Sequence, residues 1–341
     1  MDWWHPQKFA EKRPFLEKRA RIVRAIRDYF DSDGFIEVQT PVLQVCPVMD
    51  THIHAFETVL KGPDLQPAAR LYLQTSPEFD MKKLMTAGVE KLYQMCPVFR
   101  NGEGSRLHSP EFTMLEWYRA GGADYRALMT DCEGLLRRVA EVLDVQAFSH
   151  REVECSPFAD WRRISVCEAF SEYAGIDLAA HLEDTEGFAH AVRSIGVRVA
   201  EGDRWDDLFF AAMAEKIEPF LGRDVPAILY DYPASLASLS RRKPEDPRFA
   251  ERFELYVCGV ELANAFSELT DAQEQRERFA AEMALKNKLY NETYPADESF
   301  LRALDYGLPE SAGIALGVDR LVMLATGAEH ISQVLWAPVQ V

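Results

Sequence analysis

The sequence predicts an α/β fold in which helices flank a mainly antiparallel sheet, and three observations predict it. Residues 253–257 and 260–266 are two β-rich runs separated only by Cys258-Gly259, the length and type of a two-residue hairpin turn. Residues 91–99 and 112–118 form a second pair of strands around the polar loop 100–109, and the later strand is apolar on both faces, so it should be central and buried. Long helical patterns at 14–30 and 123–143 supply the flanking layer.

The elements follow in order. In 14–30, Leu16, Ala20, Val23, Ile26 and Phe30 recur at three- and four-residue spacing; Pro14 suits a first helical turn and Asp33-Gly34 a stop. Residues 35–38 make a short strand running into Thr40-Pro41, and 70–74 another. A helix over 77–87 has Ser76 as its N-cap and Glu78 in its first turn. The stretch 146–223 is less patterned and mostly helical, clearest at 205–220, and reads as an internal insertion. A strand is expected at 227–232, a charged, solvated helix at 271–290, and a strand at 313–316 entering a helix at 318–326. Without repeats or a low-complexity linker, one domain over 1–341 with a helical insertion at 146–223 is the simplest organisation.

Of the 341 residues, 48% are hydrophobic and 27% charged, the profile of a soluble globular protein. No apolar run approaches the roughly 20 residues needed to span a bilayer. The segment Met1 to Pro6 lacks the pattern of a signal peptide, so a cytoplasmic location without membrane attachment is expected. The six cysteines form no CxxC pair and are expected as buried thiols. The net charge of −17, from 38 basic against 55 acidic residues, argues against extensive contact with a nucleic acid. It suits a cationic substrate or a basic site on a protein partner.

Hairpin register pairs Val257 with Val260 and Tyr256 with Glu261, so Glu254 and Glu261 share a face as diagonal neighbours, roughly 7–8 Å apart. That spacing suits Mg²⁺ shared with a polyphosphate; a solvated edge is the simpler reading of the hairpin alone. The loop Arg100-Asn101-Gly102-Glu103-Gly104-Ser105-Arg106-Leu107-His108 places two arginines beside glycines, as a phosphate site or an ordinary polar turn would. His52 and His54 are expected as a hydrogen-bonded or exposed pair before a metal site. Neither GxxxxGK[ST] nor GxGxxG occurs.

Together the segments resemble the three signature motifs of class II aminoacyl-tRNA synthetases, in order and over nearly the whole chain. Gly34 to Pro41 resembles the first. Phe99-Arg100-Asn101 with His108-Ser109-Pro110-Glu111-Phe112-Thr113-Met114-Leu115-Glu116-Trp117-Tyr118 resembles the second. Gly313 to Leu321 resembles the third. Thr75-Ser76-Pro77-Glu78 and Glu261-Leu262-Ala263-Asn264 with Phe266 and Glu268 are similar to lysyl-tRNA synthetase. The catalytic core begins within the first few tens of residues, Arg119 follows Trp117-Tyr118, and Ala315 stands where the tRNA enzyme usually has glycine. The chain therefore looks like the truncated paralogues, the elongation factor P–lysine ligases.

The resemblance implies ATP-dependent activation of (R)-β-lysine as an adenylate, transfer to a lysine of elongation factor P, and a homodimer formed through the first motif. It assigns charge stabilisation at the α- and γ-phosphates to Arg100 and Arg320. The ATP site would be lined by Arg100, Asn101, Gly102, Glu103, Ser109, Glu254, Leu255, Gly317 and Arg320, with Mg²⁺ on Glu254 and Glu261. The amino acid would be surrounded by Ser76, Pro77, Glu78, Glu116, Tyr118, Glu261, Asn264 and Glu268. The loop departs from the commoner Arg-Asn-Glu, so the acid near adenine is Glu103 or absent. Strict alternation puts Asn264 on the face opposite Glu261, and both can line one site only if the strand bulges. Two alternatives are a reduced lysyl-tRNA synthetase acting on tRNA and an inactive paralogue serving as a binding subunit. The acidic balance speaks against the first, and retention of Arg100, Glu254, Glu261 and Arg320 against the second.

Overall fold

Helix α1 (Pro6–Ser32) opens the fold in a computed structural model that describes residues 2–339. It begins eight residues before Pro14, with Pro6 in its first turn and the His5 imidazole accepting the Gln7 amide. Pro14 thus lies inside the helix. Either proline satisfies the rule for a first turn, and the apolar stripe is weak before Leu16, so the sequence pattern starts too late. Gly34 ends α1 at φ +75°, a conformation glycine adopts freely.

The short strand β1 (Ile36–Glu37) follows. Strands β2 (Leu43–Gln44), β3 (Glu57–Lys61) and β4 (Pro67–Leu73) form a separate small sheet in the order β2-β4-β3. Helix α2 (Glu78–Thr86) starts one residue late: Pro77 holds the capping position, although the Ser76 hydroxyl still accepts the Glu78 amide at 3.1 Å. Strands β5 (Lys91–Phe99) and β6 (Glu111–Arg119) pair antiparallel, and α3 (Tyr125–Leu143) is capped by Asp124.

Residues 146–223 are not helical throughout. They open with the hairpin β7 (Phe148–His150) and β8 (Val153–Cys155) and with β9 (Arg162–Ser165), too short for a periodic signal. Helices α4 (Val166–Ala169), α5 (Thr185–Ser194) and α6 (Trp205–Ala212) follow. Beyond Ala212 the chain loosens into a π turn and a 3₁₀ turn containing Pro219, so the expected helix 205–220 is half that length. Phe170, Phe188, Leu208 and Phe209 give this region its own apolar core.

The catalytic sheet is completed by β10 (Ala227–Pro233), β11 (Phe249–Val257) and β12 (Val260–Ser267). After α7 (Ala272–Tyr290) and α8 (Glu298–Gly307) comes β13 (Ala312–Gly317), which leads into α9 (Val318–Thr326). The eight strands run β1-β5-β6-β13-β12-β11-β10-β9, parallel only at the two ends. One face of this sheet packs on α1, α3 and α9 through Phe30, Trp117, Leu136, Leu255, Ile314 and Leu321. Burying that face leaves the other for the site.

Helix α7 is not simply solvated. Gln275, Phe279, Met283 and Lys286 are buried along one side. The Lys286 ammonium donates to the carbonyls of Thr51 (3.1 Å) and Ile53 (2.8 Å), which fixes the loop after β2. His52 and His54 bond to Tyr290 and Glu292. Among the described residues, no helix is long and apolar enough to cross a membrane.

Candidate active site

The β11–β12 hairpin turns at Cys258 and Gly259, both with positive φ, as a two-residue primed turn requires. Tyr256 pairs with Glu261 as expected, but the next pair is Leu255 with Ala263. Leu262 is the extra residue of a bulge, and the bulge turns Asn264 to the face of Glu261. Asn264 then pairs directly with Glu254 on one side and Ala315 on the other, and Ala315 pairs with Glu116. Four adjacent strands therefore present Glu116, Ala315, Asn264 and Glu254 side by side.

Two adjoining cavities lie on this face. The first, of about 750 Å³, is walled by Arg100, Glu103, His108, Ser109, Glu261, Gly317 and Arg320, among others. Arg100 carries a buried Nε without a hydrogen-bond partner, and its guanidinium lies 5.4 Å from the Phe112 ring centre. Arg320 donates to the Glu261 carbonyl (2.9 Å) and stands 3.9 Å from the Glu261 carboxylate. Its other arm meets His108 Nε2. A guanidinium only donates, so Nε2 is the bare nitrogen, and Nδ1–H donates to Ser105 Oγ at 2.8 Å. Burial, then Arg320, keeps the imidazole below its ordinary pKa and so neutral.

Burial, then repulsion from Glu254, pushes the Glu261 carboxyl up to about 7, against the pull of Arg320. Glu254 is nearly enclosed. It accepts from Tyr232 (2.6 Å), Tyr256 (2.7 Å) and Arg252 (2.6 Å). Arg252 also donates to Asn264 Oδ1 at 3.0 Å, tying the two neighbours together.

The second cavity is lined by Ser76, Glu78, Arg100, Glu116, Tyr118, Asn264, Gly313 and Ala315, among others. Asp50, Glu78 and Glu116 line it, and Glu268 is packed beside them on Lys82. Glu116 accepts from Ser76 (2.7 Å) and Tyr118 (2.5 Å), while Glu78 and Glu268 share the ammonium of Lys82 at 2.5 Å each. Neither Glu268 oxygen takes a well-directed hydrogen bond, even from Lys82. Burial followed by repulsion from Glu78 lifts Glu116 to about 7. Burial lifts Glu268 to about 8, against the pull of Lys82. Burial opposes the Lys82 charge, but attraction to Glu268 and Glu78 outweighs it and raises the ammonium above its usual value. Four carboxylates, counting Asp50, against Lys82 and Arg100 leave the pocket short of positive charge.

The structure thus gathers most of the residues singled out in the sequence. Asn101 and Gly102 are exposed in the loop, Pro77 caps α2, and the Leu255 side chain points into the core on the opposite face. Lys82, Arg252 and His108 were missed. Lys82 carried a signal, lying four residues after Glu78 on a helix. Arg252 alternates with Glu254 on the same strand face. His108 directly precedes Ser109 in the second motif.

An antiparallel sheet bearing these motifs, with arginines over one cavity and carboxylates around the next, defines the adenylate-forming core of class II synthetases. The family model for class II tRNA synthetases (D, K and N) matches residues 8–340. A protein of Proteus mirabilis (strain HI4320) is 44% identical over 325 residues, covering 95% of this chain and 94% of its own. Similar proteins of Vibrio cholerae (serotype O1, strain ATCC 39315) and Histophilus somni (strain 2336) are 40% and 39% identical. They cover 95% and 97% of this chain, and 94% and 96% of their own. Each of the three is named elongation factor P–(R)-β-lysine ligase. The chain belongs to the class II tRNA synthetase family and, within it, to the elongation factor P–(R)-β-lysine ligases.

Proposed function

We propose that the protein uses ATP to activate (R)-β-lysine as an adenylate and transfers it to a lysine side chain of elongation factor P. The observation that carries this reading is the second cavity: Asp50, Glu78 and Glu116 line it and Glu268 is packed beside them, against only Lys82 and Arg100, and this excess of carboxylate calls for a ligand with two ammonium groups. The first cavity supplies the complementary half, since Arg100 and Arg320 suit a triphosphate.

In this reading Glu116, Glu268 and Glu78 hold the two ammonium groups, with Tyr118, Ser76 and Asn264 fixing their orientation. The substrate carboxylate then lies toward Arg100, which lines both cavities and has a donor to spare. It attacks the α-phosphorus in line, and the P–O bond to pyrophosphate breaks. Arg100 and Arg320 meet the charge that develops, a preorganised electrostatic contribution. Ser109, Gly317 and the loop residues Asn101 to Glu103 frame the nucleotide. Glu261 opens to the first cavity and would hold Mg²⁺ there, with Glu254 behind it, its oxygens engaged by Tyr232, Tyr256 and Arg252. Bound there, the ion would neutralise charge on the departing pyrophosphate. Positioning suffices for both steps, and no residue needs to be acylated.

The carboxylate-rich walls speak for a protein acceptor over tRNA. Exposed Ile36, Leu43, Val45, Val59 and Leu60 on β1 and the small sheet support a homodimer through this surface. Action in the cytoplasm, and one catalytic domain carrying the inserted segment, belong to the same reading. The test is ATP–pyrophosphate exchange against a panel of amino acids. Diamino acids should drive exchange at least tenfold better than monoamino acids of the same length; equal rates would refute the reading.

A further inference from the structure

A third cavity, of about 980 Å³ with its open mouth, separates the inserted segment from the catalytic sheet. The inserted segment contributes one wall through Leu182, Trp205 and Phe210. The other comes from Asp50 to His52 and from Glu282 and Leu285 of α7. Asp50 lines both this cleft and the carboxylate cavity. The loop between β10 and β11 partitions the two, with Leu236 and Ser238 on the cleft and Leu239 on the cavity. At the inner end Arg252 bridges to Glu254 and Asn264. The cleft therefore runs from the surface to the outer side of the carboxylate cavity, with Asp50 and the β10–β11 loop between them.

We propose that this cleft is the approach by which the acceptor protein's lysine side chain reaches the aminoacyl adenylate. The proposal rests on the ligase reading above and extends it to the purpose of the inserted segment. Three features of the cleft match a lysine. Leu182, Trp205, Phe210 and Leu285 on its walls suit a four-carbon stem. Its cations are already occupied: Arg204 by Asp206 (2.7 Å) and Asp207 (3.1 Å), and Arg252 by Glu254 (2.6 Å). Asp50 has one oxygen engaged by the His52 and Ile53 amides, and Glu282 is held by Thr51; among the described residues neither forms a direct ion pair, and the ammonium near them, Lys286, is committed to the carbonyls of Thr51 and Ile53. Repulsion from Asp50 adds to burial in raising the Glu282 pKa, which places the two carboxylates near each other. Such a lining attracts an ammonium and repels a phosphate backbone. In the transfer, the deprotonated amine bonds to the adenylate carbonyl carbon and the bond from that carbon to the phosphate oxygen breaks. AMP leaves with the electron pair, and the surplus proton on nitrogen passes to cleft water.

The experiment uses the full-length enzyme with Phe210→Lys and Leu285→Lys, which place a cation on either wall away from the reacting atoms. Three rates are measured: ATP–pyrophosphate exchange with the diamino acid, hydroxamate formation with hydroxylamine as a small acceptor, and label transfer to elongation factor P. The first two should stay within twofold of wild type, which also shows that the variants fold. Transfer to elongation factor P should lose at least tenfold in kcat/KM in each variant, and Phe210→Leu should restore it. Unchanged transfer in both lysine variants would overturn the cleft while leaving the ligase reading intact. Loss of exchange and hydroxamate in both would overturn it too, because the cleft would then serve adenylation. A wild type that exchanges but labels no elongation factor P would remove the acceptor assignment and this proposal together.

Discussion

Gly313 has no room for a side chain, and Gly313→Ala tests the architecture of the carboxylate cavity. A β-carbon there would lie 2.2 Å from Cε1 of Tyr118 and 2.4 Å from Oε1 of Glu268. Carbon atoms in ordinary contact stand about 3.5–4.0 Å apart, so the Tyr118 ring must retreat by about 1.3 Å or more. Tyr118 is fully enclosed and donates to Glu116 at 2.5 Å, so its retreat breaks that bond and displaces one of the carboxylates. A misplacement of about 1 Å costs on the order of 100-fold in rate, equivalent to about 2.7 kcal/mol. Overpacking removes a further ~1–3 kcal/mol of stability. The assay is pyrophosphate exchange against diamino-acid concentration, with thermal unfolding in parallel. The expected result is a kcat/KM for the diamino acid lowered about 100-fold, with the KM for ATP nearly unchanged. Wild-type kinetics in a folded Gly313→Ala protein would refute the packing argument and the placement of Tyr118 and Glu268 around the substrate.

Glu261→Ala should abolish pyrophosphate exchange while leaving the fold intact, since the side chain opens to the first cavity; near-normal exchange would remove Glu261 from the nucleotide site. In the empty pocket Glu116 and Glu268 hold protons below about 7 and about 8. The KM for the diamino acid should therefore fall as pH rises from 6 to 8.5, and a flat profile would contradict the pocket's charge count. Both carboxyls titrate above their unfolded value of 4.5, so the folded state binds the extra protons. The unliganded enzyme should accordingly lose stability as pH rises from about 4.5 toward 8, and saturating diamino acid should offset that loss. Lys82→Met leaves Glu78 and Glu268 without their shared cation and should cost ~3–5 kcal/mol in denaturant unfolding; a change below ~1 kcal/mol would show that the ion pair is not structural.

The strand pairs, the hairpin turn and the three motifs were legible because each is a local pattern: alternation, a two-residue turn, a run of residue types. The bulge at Leu262 was foreseen only as a condition, since placing Asn264 beside Glu261 demanded it; nothing in Val260 to Phe266 marks which residue is extra. The start of α1 was misplaced because Pro6 and Pro14 satisfy the same rule. Strand β9 escaped notice because four residues at a sheet edge carry no periodicity, and its role depends on β10, more than sixty residues later. The Lys286 anchor and the Arg252–Asn264 link are tertiary contacts, which a charge pattern reads equally well as solvated surface. That is why the charge pattern of α7 reads as an exposed helix.

The central claim is the acceptor and the amino acid together. The most direct measurement offers labelled (R)-β-lysine or α-lysine with ATP and Mg²⁺, and presents elongation factor P and tRNA in parallel. The account predicts label on elongation factor P, strongest with (R)-β-lysine, and AMP released in equal amount. Label on tRNA, or on neither acceptor without pyrophosphate exchange, would contradict it.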